Sequence, residues 1–315
     1  CCGSTCSNSC VQNDSTYAMP AACATLIAKY DFNEAAYAGT AGELKDTAGY
    51  PGGPFNGKAQ GSPWPGAGSA APARTGSPGT CAYATLPGPT SNGGGFVIAG
   101  LPVSTVAGNK TSVAFWLYWN GIDGVMPMGW GSHDLWFTGG HFGFNTGNGD
   151  VYGIASAGLA KGWHHVVAVF TNGSVTVSNK LYIDGVAKSM TQRASSPNNG
   201  TAVVRATMNI SGWGANTGYR LGGSIDQLRV YNGEVSTAEV AALLAETADC
   251  NVTAPHHIEV QHGSGNALTC SATSLTVRAC ADASCATPYT GGVTGNLAAT
   301  GTGMSVVWPA GNAFT

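Results

Sequence analysis

The sequence GWHHVVAVF, at residues 162–170, decides the fold of this protein. Two adjacent histidines, His164 and His165, enter a run of valines that ends in a phenylalanine. Because successive side chains of a strand point to opposite faces, the two rings cannot reach one metal ion in a continuous strand. We therefore predict a core strand in which one histidine packs inward, with hydrogen-bonded ring nitrogens, and the other faces the opposite side.

The surrounding sequence contains further short β-rich runs, separated by Gly, Asn and Asp turns. They include FVIAGL (96–101), SVAFWLYW (112–119), DLWF (134–137), HFGF (141–144), KLYID (180–184) and SIDQLRVY (224–231). Such spacing is typical of an antiparallel sandwich. One helix is predicted at STAEVAALLAETAD (236–249), where Ser236 and Glu239 form a capping box, and it is expected to fold back over the sheet. The glycines and prolines of residues 50–79 predict a surface loop without regular structure.

The composition excludes several classes of partner. Charged residues make up only 9% of the chain, whereas about 25% is usual in soluble proteins. A net charge of -3 provides no electrostatic basis for binding nucleic acid or an anionic membrane. No apolar run approaches the roughly 18 residues of a membrane span. The apolar content of 43% still predicts a substantial core.

The ten cysteines indicate an oxidising compartment. Four lie in CCGSTCSNSC at the start, and their spacing lacks the second pair of ligands that a zinc site requires. Disulfides in a secreted or surface protein are therefore favoured, although their connectivity does not follow from the sequence. The chain has no initiator Met, and we expect a removed signal peptide and an extracellular location.

Two positions carry candidate metal chemistry. His257 and Glu259 share one face of PHHIEVQH and could supply two zinc ligands, but no third ligand is apparent, so a solvated strand face is favoured. In SIDQLRVY, alternation places Asp226 on the same face as Leu228 and Val230, where an ionised carboxylate is costly unless it is paired or bound to a cation. An ordinary hydrogen-bonded aspartate and a Ca²⁺ ligand both remain open.

Loop aromatics are the candidates for ligand binding, since ring faces stack on sugars. They are Trp130, Asp134 and Trp136 in MGWGSHDLWF, and Trp213 and Tyr219 in SGWGANTGY. Filling the core or pinning loops is the alternative role of such rings. No strand has the paired carboxylates of a glycosidase, and there is no nucleophile elbow. The sequence therefore predicts a protein that is not an enzyme.

Several of these segments together resemble a known family. YDFNE, LKDTAG, FNGKAQG, SVAFWLYW, GWHHVVAVF, KLYIDGV and GSIDQLRVYNGEVSTAEV follow the order of the laminin G-like (concanavalin A-like, pentraxin-related) domain. The resemblance implies an all-β, antiparallel two-sheet jelly-roll sandwich with one capping helix over residues 23–250. It also implies a carbohydrate, protein or matrix ligand, and Ca²⁺ held by Asp46 and Asp226.

Residues 251–315 resemble the β-sandwich module of proteins similar to the MSHA pilus biogenesis protein MshQ. This implies a second, smaller sandwich that is incomplete at its C-terminal end, while residues 1–22 form a Cys-rich segment. Cys280 and Cys285 belong to this resemblance and are expected to form disulfides.

Together the two resemblances predict a non-catalytic bacterial cell-surface or pilus-associated protein that binds a glycan or surface-protein ligand in adhesion. One alternative is a filament subunit that shares strands with copies of itself or with other pilus subunits. Another is a glycan-active jelly-roll enzyme.

Calcium binding can be tested by chelation. If Ca²⁺ is held by Asp46 and Asp226, removing it should lower the melting temperature by a few degrees, because a ligand that binds only the folded state stabilises it. A melting curve that is unchanged in chelator would exclude this site.

A disulfide between Cys23 and Cys250 is the second expectation. The two residues flank the first strand and the last helix, and the chain ends of the resembled fold lie close together. Non-reducing peptide mapping should recover one peptide pair that contains both cysteines. Recovery of either cysteine with a different partner would refute the pairing.

Overall fold

The chain divides into two compact units after Ala248. The structure, a computed structural model, describes residues 24–68, 82–88, 94–147, 149–193, 200–212 and 219–246 of the first unit. In the second unit it describes residues 257–262, 275–280, 283–286, 288–289, 293, 295–296 and 313–314.

The described elements are predominantly strands. Those of the first unit are β1 (Thr25–Tyr30), β2 (Gly57–Gln60), β3 (Gly66–Gly68), β4 (Tyr83–Pro87), β5 (Gly95–Ile98), β6 (Lys110–Trp119), β7 (Met128–Gly129), β8 (Leu135–Thr138), β9 (His141–Gly147), β10 (Asp150–Ala155), β11 (Gly162–Thr171), β12 (Gly173–Ser174), β13 (Lys180–Ile183), β14 (Val186–Ala187), β15 (Thr191–Gln192), β16 (Thr201–Ala202), β17 (Met208–Ile210) and β18 (Gly222–Asn232). Its helices are α1 (Val175–Ser178) and α2 (Thr237–Ala245), with a 3₁₀ turn at Ser156–Gly158. The second unit contains β19 (His257–His262), β20 (Leu275–Cys280), β21 (Gly295–Asn296) and β22 (Ala313–Phe314).

The first unit is an antiparallel sandwich. Its large sheet has the order β14-β13-β11-β6-β18-β4-β3, with β1 also paired to β18. Two smaller sheets, β15-β10-β9-β8 and β2-β5-β17-β7, contribute to the same buried core. The predicted all-β jelly-roll sandwich is confirmed. In the second unit, β19 pairs with β20 and β21 pairs with β22.

Strand β6 separates the core from the outer face of the large sheet. Phe115 and Leu117 point into the main core between the sheets. Ala114, from the opposite side of the strand, packs in a second cluster with Val167 and with Val240 of helix α2. The sheet is therefore apolar on both faces where the helix covers it, as expected for a strand run without polar alternation.

Helix α2 forms where its capping box predicts. The Ser236 side chain accepts a hydrogen bond from the backbone N–H of Glu239, and the Glu239 carboxylate accepts one from the backbone N–H of Ser236. Val240 is fully buried against the sheet, so the predicted packing of the helix is confirmed. In the part of the chain that the structure describes, no helix has the length and apolar character needed to cross a membrane.

The two histidines of β11 lie on opposite faces, as predicted. His164 is opposite Leu117 in β6; its Nδ1 lies 2.8 Å from Oδ2 of Asp184 and its Nε2 lies 2.8 Å from the Ala160 carbonyl oxygen. The hydrogen bond with Asp184 is the main cause that raises the pKa of His164. His165 is opposite Trp116, and the two rings pack with centroids 5.2 Å apart. Burial lowers the pKa of His165 to about 4, so this ring is neutral near pH 7.

The prediction that residues 50–79 lack regular structure is wrong in part. Strands β2 and β3 lie in this stretch, where they pair with β5 and β4. A Cβ atom on Gly57 would come within 2.9 Å of Cγ1 of Ile98, so glycine permits the close approach of β2 and β5. Partners distant in the sequence supply the hydrogen bonds and override the low intrinsic strand propensity.

The burial of His165 predicts an acid-dependent loss of stability. Its folded pKa of about 4 lies below the ordinary value of 6.5, so the unfolded chain binds more protons between these pH values. The part of the free energy of unfolding that depends on neutral His165 is therefore fully present above about pH 6.5 and is lost as the pH falls toward 4. The loss amounts to roughly 3 kcal/mol.

His165→Phe keeps an aromatic ring against Trp116 but cannot titrate. Urea unfolding at pH 7 and at pH 4 should show a smaller loss of stability in this variant than in the wild type. His133, whose pKa burial lowers to about 3, remains in both proteins and provides the common background. Equal losses in the two proteins would contradict the role assigned to His165.

Candidate ligand-binding surface

Strand β18 contains a β-bulge next to its acidic residue. Asp226 is opposite Trp116 of β6, and the next paired residue, Arg229, is opposite Ala114. Three steps along β18 therefore match two steps along β6. Gln227 has a φ of 47°, a left-handed conformation that is uncommon for residues other than glycine. One additional residue is thus inserted into the ladder at this point.

The bulge decides the face on which Asp226 lies. Residues opposite one another in an antiparallel pair share a face, so Asp226 lies on the side of Trp116, away from the main core. The prediction that it shares a face with Leu228 and Val230 is wrong, because an inserted residue inverts the alternation. Asp226 is nevertheless fully buried, and its Oδ1 accepts a hydrogen bond of 2.8 Å from the backbone N–H of Gln227.

Three aromatic residues lie together on this outer side of the large sheet. The Trp163 ring lies edge-to-face against Tyr83 and against Tyr118, with centroid distances of 5.4 Å and 5.6 Å. Tyr118 is 37% exposed, and the other two rings are partly exposed. We call the surface formed by Tyr83, Tyr118 and Trp163 the aromatic face.

Hydroxyl groups accompany these rings. Thr85 and Ser224 are opposite one another, and Ser224 is in turn opposite Tyr118, which is opposite Trp163. Four neighbouring strands thus place two aliphatic hydroxyls and a phenol in one row with an indole. Ser224 is buried, so the rings can stack on an apolar ligand surface while the Tyr118 phenol and the partly exposed Thr85 can hydrogen-bond to its polar groups.

The row of residues next to the aromatic face, on the same outer side of the sheet, is buried. Trp116 and His165 are 2% and 3% exposed, and Asp226 is fully buried. His165 in this row is neutral near pH 7, and the charges of Asp184 and Arg229 both act on its pKa. The rings and hydroxyls of the aromatic face suit a ligand with alternating apolar and hydroxyl surfaces.

Sequence analysis overlooked Tyr118 and Trp163. Both occur in runs predicted as core strands, SVAFWLYW and GWHHVVAVF, whereas the aromatics predicted to bind a ligand were assigned to loops. The sequence did contain a signal for this placement. Along β6, Trp116 and Tyr118 alternate with the core residues Phe115 and Leu117. Strand alternation alone assigns them to the other face.

Among the predicted ligand-binding residues, Trp130 is placed in the core instead. It is 1% exposed and lies edge-to-face against Phe170, with ring centroids 4.8 Å apart. Its ring therefore cannot stack on a sugar. Asp134 is also buried; its Oδ1 accepts a hydrogen bond from the Gly131 N–H, and burial raises its pKa to about 6.

Trp136 and Tyr219 come together as a pair. Their rings lie edge-to-face with centroids 5.4 Å apart, and Met126 and Val151 complete a small apolar cluster. Trp136 is only 9% exposed, so most of its surface is used in packing. Trp213 lies outside the described residues. The structure thus joins two of the predicted residues but leaves little open ring surface there.

Asp46 anchors a loop to strand β1. Its Oδ1 accepts hydrogen bonds from the backbone N–H groups of Lys29 and Ala48, at 2.9 Å and 3.0 Å. Its Oδ2 accepts one from the Phe55 N–H at 2.8 Å. Within the described ranges, neither Asp46 nor Asp226 belongs to a group of three or more potential metal-ligating side chains. Calcium binding by the two residues stays a prediction.

Two of the cysteines predicted to form disulfides lie in the described part of the second unit. A disulfide joins Cys280 and Cys285, and both residues are buried. Cys23 and Cys250 lie outside the described residues, so their pairing stays a prediction.

Comparison with protein families matches both units. Residues 91–241 match the model described as the concanavalin A-like lectin/glucanases superfamily. This match lies within the first unit and spans slightly less than half of the chain. Residues 256–315 match a domain of unknown function, DUF8613, and the resemblance to MshQ-like modules stays a prediction. A search of curated proteins finds no match.

Solved structures with similar folds include domain 4 of AbnA, a GH43 extracellular arabinanase from Geobacillus stearothermophilus, in complex with arabinotriose. It is 21% identical, with a TM-score of 0.44, and the match covers 70% of this chain and 98% of that one. The binding domain of botulinum neurotoxin serotype D is 14% identical, with a TM-score of 0.43. The neurotoxin DC binding domain in complex with rat synaptotagmin II is 12% identical, with a TM-score of 0.42. The match covers 70% of this chain and 51% of each neurotoxin chain, so it spans about half their length.

The family match corrects one prediction. The sequence predicted a protein that is not an enzyme, but the matched superfamily unites lectins with glucanases, which cleave sugars. The absence of a familiar carboxylate pair in the sequence was therefore an insufficient reason to exclude catalysis. The prediction that the protein is not an enzyme is withdrawn on this finding.

Proposed function

We propose that the first unit binds a neutral carbohydrate chain on the aromatic face. The observation that carries this proposal is the exposed ring of Tyr118 beside Trp163, with centroids 5.6 Å apart, on the outer side of the large sheet. A sugar ring has C–H groups on its faces and hydroxyls at its edge. The aromatic rings, the Tyr118 phenol and the partly exposed Thr85 hydroxyl match both kinds of group.

The aromatic face is organised before any ligand binds. Trp163 is held between two tyrosine rings, and all three residues belong to strands of one sheet. Binding therefore orders few additional side-chain rotamers, each of which would cost about 0.5–1.5 kcal/mol. A rigid surface of this kind supports recognition without closure of a loop.

Charge supports an uncharged ligand. The three rings carry no charge, and the neighbouring His165 is neutral near pH 7 while Asp226 is buried, so these residues offer a charged sugar no ion pair. A carboxylated or sulfated glycan would also have to give up part of its hydration on an apolar surface. We infer a preference for neutral oligosaccharides.

The wider role that we propose is recognition at a bacterial cell surface, with an extracellular, cell-surface or pilus-associated location. The low charge and the ten cysteines support this location. The partner would be a surface glycan or a glycosylated surface protein. Assembly into a filament with pilus subunits or with copies of the same chain is the alternative.

The proposal is tested with the full chain on an array of neutral and acidic oligosaccharides, followed by titration of the best ligands. The same ligands are inspected for cleavage products, so binding and catalysis are measured separately. Tyr118→Ala and Trp163→Ala should each weaken binding by at least about tenfold, the effect expected of a central aromatic contact.

Two variants provide controls. Tyr118→Phe retains the ring and should retain most of the affinity. Trp64→Ala removes an indole that is 44% exposed and lies against Gly39, and it should leave the affinity unchanged. Equal affinity of wild type, Tyr118→Ala and Trp163→Ala would exclude the aromatic face as the binding surface, and an array without neutral ligands would refute the proposed specificity.

A further inference from the structure

Strand pairing in the second unit brings two pairs of metal-ligating residues together. His257 and Glu259 lie two residues apart on β19 and share a face, with Nε2 3.4 Å from Oε1. His257 is directly opposite Cys280 of β20. Cys285, five positions after Cys280, is bonded to it in a disulfide, and the two Cα atoms are 4.7 Å apart.

The four side chains have dimensions suited to a single ion. One ligand atom from each of His257, Glu259, Cys280 and Cys285 lies within 4.8 Å of all the others. Tetrahedral zinc bonds of about 2.0 Å to nitrogen or oxygen require ligand atoms about 3.3 Å apart, close to the observed histidine–glutamate distance. The cysteine spacing, with four residues between them, is also typical of structural zinc sites.

We propose that these four residues form a zinc site in the reduced second unit. In the oxidised unit, the sulfur atoms of Cys280 and Cys285 are bonded to one another and cannot act as thiolate ligands. Disulfide and metal are therefore alternative states of one site. The sequence had left His257 and Glu259 without a third ligand, and the pairing of β19 with β20 supplies two.

The change of state needs a two-electron reductant. Two thiol molecules reduce the disulfide: their sulfur atoms join in a new disulfide, while Cys280 and Cys285 each gain a hydrogen atom. Zn²⁺ then binds both sulfur atoms and releases their two protons. Either state connects the end of β20 to the residues that follow it, and only the metal also connects them to β19.

The donor set selects the type of metal. Two thiolates and one imidazole suit Zn²⁺ and its spectroscopic substitute Co²⁺, whereas Ca²⁺ and Mg²⁺ require oxygen ligands. Gln261 donates a hydrogen bond of 2.7 Å to Oε2 of Glu259, which leaves Oε1 directed toward His257. Such a second contact orients a carboxylate ligand.

The test is a Co²⁺ titration of the full chain under anaerobic conditions. A phosphine reduces the disulfide, taking oxygen from water as it becomes a phosphine oxide, and excess reductant is removed. The reduced protein should show a thiolate-to-cobalt charge-transfer band with intense tetrahedral absorption, and added Zn²⁺ should abolish both. Cys280→Ser/Cys285→Ser should bind one equivalent less than the wild type.

His257→Ala and Glu259→Ala distinguish this site from the other cysteines of the chain. One equivalent of cobalt is bound by the wild type but not by the double cysteine variant, and each of these substitutions should weaken the binding of that equivalent. His257→Ala should lower its affinity by at least about tenfold. Val260→Ala, which removes a side chain 49% exposed on the other face of β19, is the matched control and should titrate like the wild type. Circular dichroism of each oxidised variant establishes that it is folded.

The proposal fails if His257→Ala titrates like the wild type, because the cobalt is then held by cysteines elsewhere. It also fails if the oxidised wild type binds as much Co²⁺ as the reduced protein, or if the double cysteine variant loses no equivalent. None of these results depends on carbohydrate binding by the first unit.

Discussion

The register of strand β6 between β11 and β18 is the constraint on which the first unit depends. β6 is hydrogen-bonded on both sides, so each of its side chains is committed either to the core or to the outer face. A slip of one residue would place Phe115 and Leu117 outside and Tyr118 inside. The loss of two large buried side chains from the core, at about 1.5–3 kcal/mol each, disfavours any such slip. Core and aromatic face are therefore two consequences of one register.

The bulge in β18 shifts the pairing of β18 with β6 by one residue between Asp226 and Arg229. It brings Asp226 to the side of Trp116, while the residues beyond it return to the pattern of the core. Helix α2 covers another part of the same outer face through Val240. The outer face is thus divided between an apolar area under the helix and an area of rings and hydroxyls. The second area is the surface that we propose binds a ligand.

Elements with local chemical causes were predictable. Helix α2 follows from a capping box, and β11 follows from a run of β-branched residues without turn signals. Strand β2 was missed because its residues, GKAQ, have low strand propensity and its partner β5 lies more than thirty residues along the chain. Trp130 was assigned to a ligand surface because a Gly-rich loop does not reveal that the chain turns its ring toward Phe170. Burial of that ring is decided by packing between distant segments.

By itself, the sequence determined the class of the fold, the position of its long helix and the separation of His164 from His165, because these follow from periodicity over a few residues. Tertiary structure alone decided which rings are open, on which face Asp226 lies and which residues stand beside His257. The face of Asp226 depends on one inserted residue, and the neighbours of His257 depend on a strand pairing. Both are relations between segments far apart in the sequence, and no local pattern encodes them.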